Sequence, residues 1–232
     1  MKRRTILAAP ALWAGATLPA RAAEQPVVVV ELFTSQSCSA CVAAEALLGE
    51  LARDRPDVLP LAFHVTYWDG SGWRDRFSLR EANERQRRYS STLANSRYRG
   101  QVVTPQFVVQ GLSDAAGSDR DGLLAAIDAA RAAPRVPLTV TPHVTSVTIE
   151  VGQGTGVAAV WLVGYDSSHE TEVLGGENSG RKLIEVNVVR SLAQVGAWLG
   201  QPLRVNEPKP QGQHIAVLLQ AAGGGILGAA KA

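Results

Sequence analysis

An apolar run that leads directly into a pair of cysteines constrains this chain more than any other feature. Residues 27–33, VVVVELF, are rich in β-branched side chains, which is typical of a strand buried on both faces of a sheet. A polar bend at residues 34–37 ends this run. Residues 38–41, CSAC, then open an alanine- and leucine-rich segment, residues 42–52, with helical spacing. We therefore predict a strand, a short loop, and a helix with C-x-x-C in its first turn.

This layout indicates a thioredoxin-like redox site. Residues three apart in a helix share a face, so Cys38 and Cys41 can bond with little strain. The helix N-terminus stabilises a thiolate, which predicts an exposed nucleophile at Cys38 and a shielded resolving thiol at Cys41. A structural disulfide or a thiol pair holding a metal are the alternatives. We favour redox chemistry, because closing so short a loop removes little entropy from the unfolded chain.

The N-terminus predicts export. A basic start, MKRR, precedes the apolar residues 6–20, and residues 20–22, ARA, resemble a cleavage site. We expect residues 1–22 to be a cleaved signal peptide and the protein to be periplasmic or secreted, through the general or the twin-arginine route. The apolar run is too short for a membrane anchor, so no stable membrane insertion is expected after cleavage.

Charge argues against a nucleic-acid partner. The predicted signal peptide carries four of the 23 Lys and Arg residues and no acid, which leaves 19 against 21 Asp and Glu, a formal charge of −2. The arginines of the predicted helix at residues 74–93, among them Arg85, Arg87 and Arg88, are interpreted as a solvated face.

Two further stretches of the first half carry candidate substrate-binding residues. Trp68 and Trp73 lie in an aromatic, glycine-rich loop, where they either plug the core or form the wall of a substrate groove. Thr104 and Pro105 precede an apolar β-run, and a proline there cannot donate to a central ladder. Given the upstream C-x-x-C, we interpret this stretch as the cis-proline loop of thioredoxin-like proteins, in which the residue before the proline presents its backbone to an extended substrate. An ordinary trans proline that starts an edge strand is the alternative.

From residue 138 the apolar pattern changes to a period of two, with turns rich in Gly, Asn and Ser. We therefore predict an α/β chain with a thioredoxin-like domain at residues 23–134 and a β-rich, antiparallel sandwich-like unit at residues 135–232. The loop at residues 175–181, GGENSGR, is interpreted as a hairpin connection; the alternative is that it binds a ligand or lies over the redox site.

Several motifs together resemble an uncharacterised bacterial family of secreted, thioredoxin-like proteins catalogued as a domain of unknown function. They are ELFTSQSCSAC, HVTYWDGSGW, VTPQFVVQG, GGENSGRKLIEVNVVR and GGGILGAA. The resemblance implies a thioredoxin-like fold. In thioredoxins a buried acid beneath the disulfide assists proton transfer, and Glu31 is the candidate here. It lies one residue further from the first cysteine than in thioredoxins, and one residue can turn a strand side chain to the opposite face.

The sequence thus predicts a thiol–disulfide oxidoreductase or redox partner that needs no cofactor. Cys38, Cys41 and Glu31 would be catalytic, and the partners would be protein or small-molecule thiols and disulfides. A second hypothesis is a copper-binding or copper-delivery protein that uses the two thiols and His64. A third is a non-catalytic module that kept the fold for protein binding.

Overall fold

The computed structural model describes residues 27–70, 72–94 and 96–232, so the predicted signal peptide lies outside the described residues. The helices are α1 (Cys41–Asp54), α2 (Arg80–Thr92) and α3 (Arg120–Arg131). The strands are β1 (Val28–Thr34), β2 (Val58–His64), β3 (Gln106–Val109), β4 (Ser113–Ala116), β5 (Leu138–Pro142), β6 (Ser146–Val151), β7 (Ala158–Glu172), β8 (Lys182–Trp198), β9 (Leu203–Pro208), β10 (His214–Ala221) and β11 (Ile226–Lys231). Short 3-10 turns lie at Thr66–Trp68 and Gly176–Asn178.

The predicted first strand is β1, and every residue in it is buried. It pairs in parallel with β2 and antiparallel with β3, which pairs antiparallel with β4. Val28, Val30 and Leu32 pack on one face with apolar residues of α1 and α3. Val29 and Phe33 pack on the other face with residues of α2. Helices on both faces explain why the run is apolar throughout.

One large sheet contains strands from both halves of the chain. Its order is β11-β10-β7-β8-β2-β1-β3-β4, and the second half enters it through the long antiparallel hairpin of β7 and β8. The two halves join where β8 meets β2 in parallel, at the pair Ala62 and Val188. The predicted boundary between residues 134 and 135 therefore does not separate two sheets, because strands from both sides of it belong to one continuous sheet.

The three remaining strands form a small antiparallel sheet in the order β5-β6-β9. Val140, Val147 and Ile149 of this sheet pack with apolar residues of β7, β8 and β10, including the fully buried Trp198. The indole N–H of Trp198 donates to the carbonyl of Gly152 at 3.0 Å, so its one polar atom is satisfied.

The expected mixed α/β class is confirmed, because the described residues form a large multi-strand sheet with few helices. None of the helices in the described part of the chain has the length and apolar composition needed to cross a bilayer.

Candidate functional site

Cys38 and Cys41 form a disulfide at the carboxyl end of β1, with their Cα atoms 5.4 Å apart. Helix α1 begins at Cys41, so Cys38 lies in the turn that leads into it. The Cys41 N–H donates to the carbonyl of Cys38 at 3.1 Å, and the Cys38 N–H donates to that of Ser35. The predicted order of strand, short loop, cysteine pair and helix is confirmed, with only the second cysteine inside the helix.

The expected difference in exposure between the two cysteines is wrong. Cys38 is 2% exposed and Cys41 is 1% exposed, whereas Ser39 and Ala40 between them are exposed. Residues 175–181, which connect β7 and β8, lie over this turn, and we call them the covering loop.

The covering loop is fixed to the cysteine turn by two side chains. The buried Asn178 amide donates to the carbonyls of Gln36 and Cys38, at 2.9 and 3.0 Å. The Glu177 carboxylate accepts from the backbone N–H and the hydroxyl of Ser39, at 3.0 and 2.7 Å. The loop GGENSGR therefore lies against the cysteine turn, which agrees with the alternative interpretation that it lies over the predicted redox site.

Glycines allow this loop to approach so closely. A Cβ on Gly175 would lie 2.1 Å from the carbonyl oxygen of Gly72, a distance that no side chain tolerates. Gly176 adopts φ +69°, and a Cβ there would meet Ser37 at 3.2 Å and Trp73 at 3.4 Å. The loop thus lies between the cysteine turn and the Gly72–Trp73 segment.

The expectation that Glu31 lies beneath the disulfide is wrong. Glu31 is fully buried, but on the face of β1 that packs against α2. Its carboxylate accepts from Arg85 at 2.8 Å and from the Tyr89 hydroxyl at 2.7 Å. The extra residue before Cys38 turned the side chain to the other face, because side chains alternate along a strand. Arg85 is consequently part of the core and does not belong to a solvated helix face.

A different set of polar side chains lies at the carboxyl ends of β1 and β2, next to the disulfide turn. We call it the buried polar cluster; its members are Thr34, Gln36, Glu45, His64, Asp75, Thr171 and Glu185. His64 Nδ1 lies 2.7 Å from Asp75 Oδ2, and both side chains are fully buried. Nε2 of His64 is buried without a hydrogen-bond partner among the described residues.

Gln36 connects the cluster to the cysteine turn and the covering loop. Its N–H donates to Asp75 at 2.8 Å, and its side-chain amide donates to Glu185 at 2.8 Å. Its side-chain carbonyl accepts from the Trp73 indole at 2.9 Å. Its backbone carbonyl also accepts from Asn178. Gln36, two positions before Cys38, is therefore fixed by hydrogen bonds through both its backbone and its side chain.

The charges in the cluster shift one another's pKa values. Burial alone would lower the pKa of His64, but Asp75, with Glu185 and Glu45, outweighs it and raises that pKa to about 9. Burial raises the pKa of Glu45 to about 7, against the opposing influence of His64 and of the Thr34 hydroxyl, which donates to Glu45 at 2.5 Å. Glu45 is one helical turn after Cys41, on the same buried face of α1.

Glu45 also borders an open groove between α1 and β8. The groove has a volume of about 380 Å³, and Val42, Arg53 and the exposed Ile184 are among its lining residues. Glu45 is therefore both a member of the buried polar cluster and a lining residue of an open groove that also includes Val42, the residue directly after Cys41.

The peptide bond between Thr104 and Pro105 is cis, as predicted. Gly117 lies between Pro105 and Ala44 of α1, since a Cβ on Gly117 would be 2.2 Å from Pro105 and 3.0 Å from Ala44. The Trp68 indole donates to the Thr104 hydroxyl at 2.7 Å. The structure thus brings Trp68 to the cis-proline loop and Trp73 to the cysteine turn, and both tryptophans are half-buried.

His64, the histidine of the copper hypothesis, pairs with Asp75. Among residues 27–70, 72–94 and 96–232 there is no group of three or more His, Cys, Asp or Glu side chains placed to hold a metal ion.

Sequence reasoning missed Glu45, Asp75 and Glu185, and it singled out the loop that carries Glu177 and Asn178 without giving either residue a role. Glu45 had a usable signal, because it follows Cys41 by one helical turn on the apolar side of α1. The others approach the disulfide from segments distant in sequence, and their positions depend on the tertiary fold.

Comparison with known proteins gives the chain a family and structural relatives. A crystal structure of a protein from Agrobacterium tumefaciens is 31% identical with a TM-score of 0.78, over 90% of this chain and 95% of that one. HBP35 of Porphyromonas gingivalis is 13% identical with a TM-score of 0.59, over 90% of this chain and 75% of that one, which shows similarity of fold alone. A search of the curated proteins found no match. Residues 29–220 match the family described as "Protein of unknown function (DUF1223)", and the chain therefore belongs to that family.

Proposed function

We propose that this protein is an exported thiol–disulfide oxidoreductase or redox partner that acts through Cys38 and Cys41. The observation that carries the proposal is the disulfide between them at the start of α1, next to a buried cluster of ionisable side chains. A disulfide that only strengthened the fold would need no such cluster, because burying charges is costly.

We also propose that the first half of the chain is a thioredoxin-like domain. The order β1-α1-β2-α2-β3-β4-α3 supports this, as does the β2-β1-β3-β4 portion of the sheet with β1 parallel to β2 and antiparallel to β3. The cis-proline that precedes β3 adds support, because it lies against the helix that follows the cysteines.

Exchange takes two steps. In the reduced pair, the Cys38 thiolate attacks one sulfur of a substrate disulfide, forms a mixed disulfide, and releases the other substrate sulfur as a thiolate. Cys41 then loses its proton and attacks the Cys38 sulfur, which releases the second substrate thiolate and restores the Cys38–Cys41 bond. Two electrons pass from the pair to the substrate, and the reverse sequence oxidises a dithiol. Because Cys38 is buried, part of its surroundings must move before a substrate sulfur can approach, and the covering loop, which is bonded to the Cys38 carbonyl, is our candidate for the segment that moves.

Glu45 is our candidate for the proton acceptor of Cys41. It lies one turn along the same face of α1, and its pKa of about 7 is suited to receiving a proton near neutral pH. It borders the open groove, which gives the proton a way to solvent. Glu45 thus takes the role that the sequence had assigned to Glu31.

The test is the thiol released when the reduced protein is mixed with glutathione disulfide. Cys38→Ser is expected to abolish release, and Glu45→Gln to remove an inflection near pH 7 from the rate profile of the resolving step. Glu50→Gln, a partly exposed charge on the same helix, serves as the matched control and is expected to leave the profile unchanged. Absence of release from the reduced wild-type protein would refute the proposal and leave a non-catalytic module.

A further inference from the structure

Glu177 places a negative charge on the turn that joins the two cysteines. Its carboxylate binds the N–H and hydroxyl of Ser39, the residue directly after Cys38. The contact is not a chance surface encounter, because the neighbouring Asn178 is fully buried and donates to the carbonyls on both sides of Ser37. Arg181 in turn donates to the Asn178 side-chain carbonyl at 3.1 Å, so both ends of that amide are held.

This position matters because a helix start normally stabilises a thiolate. Free N–H groups and the positive end of the helix dipole lower the pKa of a cysteine located there. Here the Ser39 N–H is occupied by Glu177, and a full negative charge lies one residue from Cys38. The two hydrogen bonds from Ser39 lower the pKa of Glu177, so this carboxylate is ionised at neutral pH.

The charge affects the two redox states differently. The Cys38–Cys41 disulfide is neutral, so a nearby carboxylate changes its energy little. The reduced pair carries a thiolate, which the carboxylate repels. A dithiol whose reduced form is stabilised is an oxidant, and one whose reduced form is destabilised is a reductant.

We propose that Glu177 lowers the reduction potential of the Cys38–Cys41 pair and so makes it a donor of electrons to substrate disulfides. The direction of electron flow rests on the exchange reaction proposed above, whereas the effect of Glu177 on the potential does not. A dithiol donor reduces the pair and becomes a disulfide. The pair then reduces a substrate disulfide to two thiols and returns to its own disulfide, so two electrons and two protons pass from donor to substrate.

The experiment measures the equilibrium of the pair with reduced and oxidised glutathione, quenched with acid, for the wild-type protein and Glu177→Gln. Gln keeps an oxygen acceptor for Ser39 but removes the charge. We expect about a fivefold increase in the equilibrium constant for reduction, which converts to roughly +20 mV at about 30 mV per tenfold change. Glu172→Gln removes an equal charge from the exposed end of β7 in the same hairpin and is expected to change the constant less than twofold.

Ionic strength separates an electrostatic effect from a structural one. At about 1 M salt the screening length falls to about 3 Å, so the difference between wild type and Glu177→Gln is expected to shrink to less than twofold. The alkylation rate of reduced Cys38 provides a second measurement, and its pH midpoint is expected to be lower in Glu177→Gln than in wild type.

Equal constants for wild type and Glu177→Gln at low salt would overturn the inference, as would a difference that persists at high salt. If the potential is too low for glutathione to reduce the pair, the same equilibrium is measured against dithiothreitol, a stronger reductant. A pair that neither reagent reduces in the folded protein would overturn both this inference and the proposed function. If the pair equilibrates and Glu177→Gln shifts it, but neither protein reduces a substrate disulfide, the effect of Glu177 stands and the proposed function fails.

Discussion

Replacing Glu31 by Gln tests the position of this carboxylate. Gln has nearly the same size but no charge, so the Arg85 guanidinium would remain in the core without an anionic partner. Arg85 is 3% exposed in its side chain and Glu31 is fully buried. Removing one partner of a buried ion pair typically costs about 3–5 kcal/mol. The Tyr89 hydroxyl, which donates to the same carboxylate, belongs to the same network and is expected to add to the effect.

The assay is urea unfolding at pH 7 followed by tryptophan fluorescence. We expect Glu31→Gln to lose about 3–5 kcal/mol of unfolding free energy, or roughly 6–20 °C in melting temperature for a chain of this size. Glu81→Gln, an exposed site on α2, is the matched control and is expected to stay within about 0.5 kcal/mol. A loss below about 1 kcal/mol, together with an altered pH profile of thiol exchange, would refute this reasoning and return Glu31 to the disulfide.

Three further changes test the rest of the site. Glu45 and His64 both have raised pKa values in the fold, so stability is expected to fall as pH rises from about 5 to about 9. Glu45→Gln should flatten the part of this fall between about pH 5 and pH 7 in denaturant titrations. Asn178→Ala releases the covering loop, so alkylation of the reduced first cysteine should accelerate while stability drops by about 1–3 kcal/mol. Gly117→Ala pushes on Pro105 and should slow exchange, whereas Gly223→Ala, with open space around it, should not; equal rates would exclude a role for the cis-proline loop.

Local patterns predicted the first half of the chain well. The apolar run of β1, the cysteine turn and α1 were read from spacing alone, because strand burial and helix periodicity are local properties. The cis bond before Pro105 was predicted from a proline that opens an apolar β-run, together with the upstream C-x-x-C and the likeness to thioredoxin-like proteins. Glu31 shows the limit of this reasoning, since a shift of one residue exchanges the two faces of a strand.

The long hairpin was harder to predict. The alternating pattern after residue 138 did not show that residues 158–172 form the single long strand β7. Register shifts near Val160 and Gly164 interrupt the alternation that would identify one continuous strand. The turn residues of the covering loop indicated a connection correctly, but the surface on which that connection lies depends on where β8 meets β2.

The buried polar cluster could not be predicted from pattern. Its members come from β1 and the turn after it, α1, β2, the segment before α2, and the β7–β8 hairpin, and each has an ordinary local setting. His64 reads locally as the end of an apolar strand, and Glu185 as one polar residue in an alternating run. Only the fold brings His64, Asp75 and Glu185 together.

Trapping the mixed disulfide tests the central claim most directly. Cys41→Ser leaves Cys38 able to attack but removes the thiol that resolves the product, so a covalent adduct with the substrate should accumulate. The variant is expressed in its exporting host, quenched with acid, and analysed on non-reducing gels and by mass spectrometry. We predict adducts that reductant removes with Cys41→Ser and none with Cys38→Ser. No adducts from either variant, in protein whose remaining thiol is free and reduced, would contradict the account.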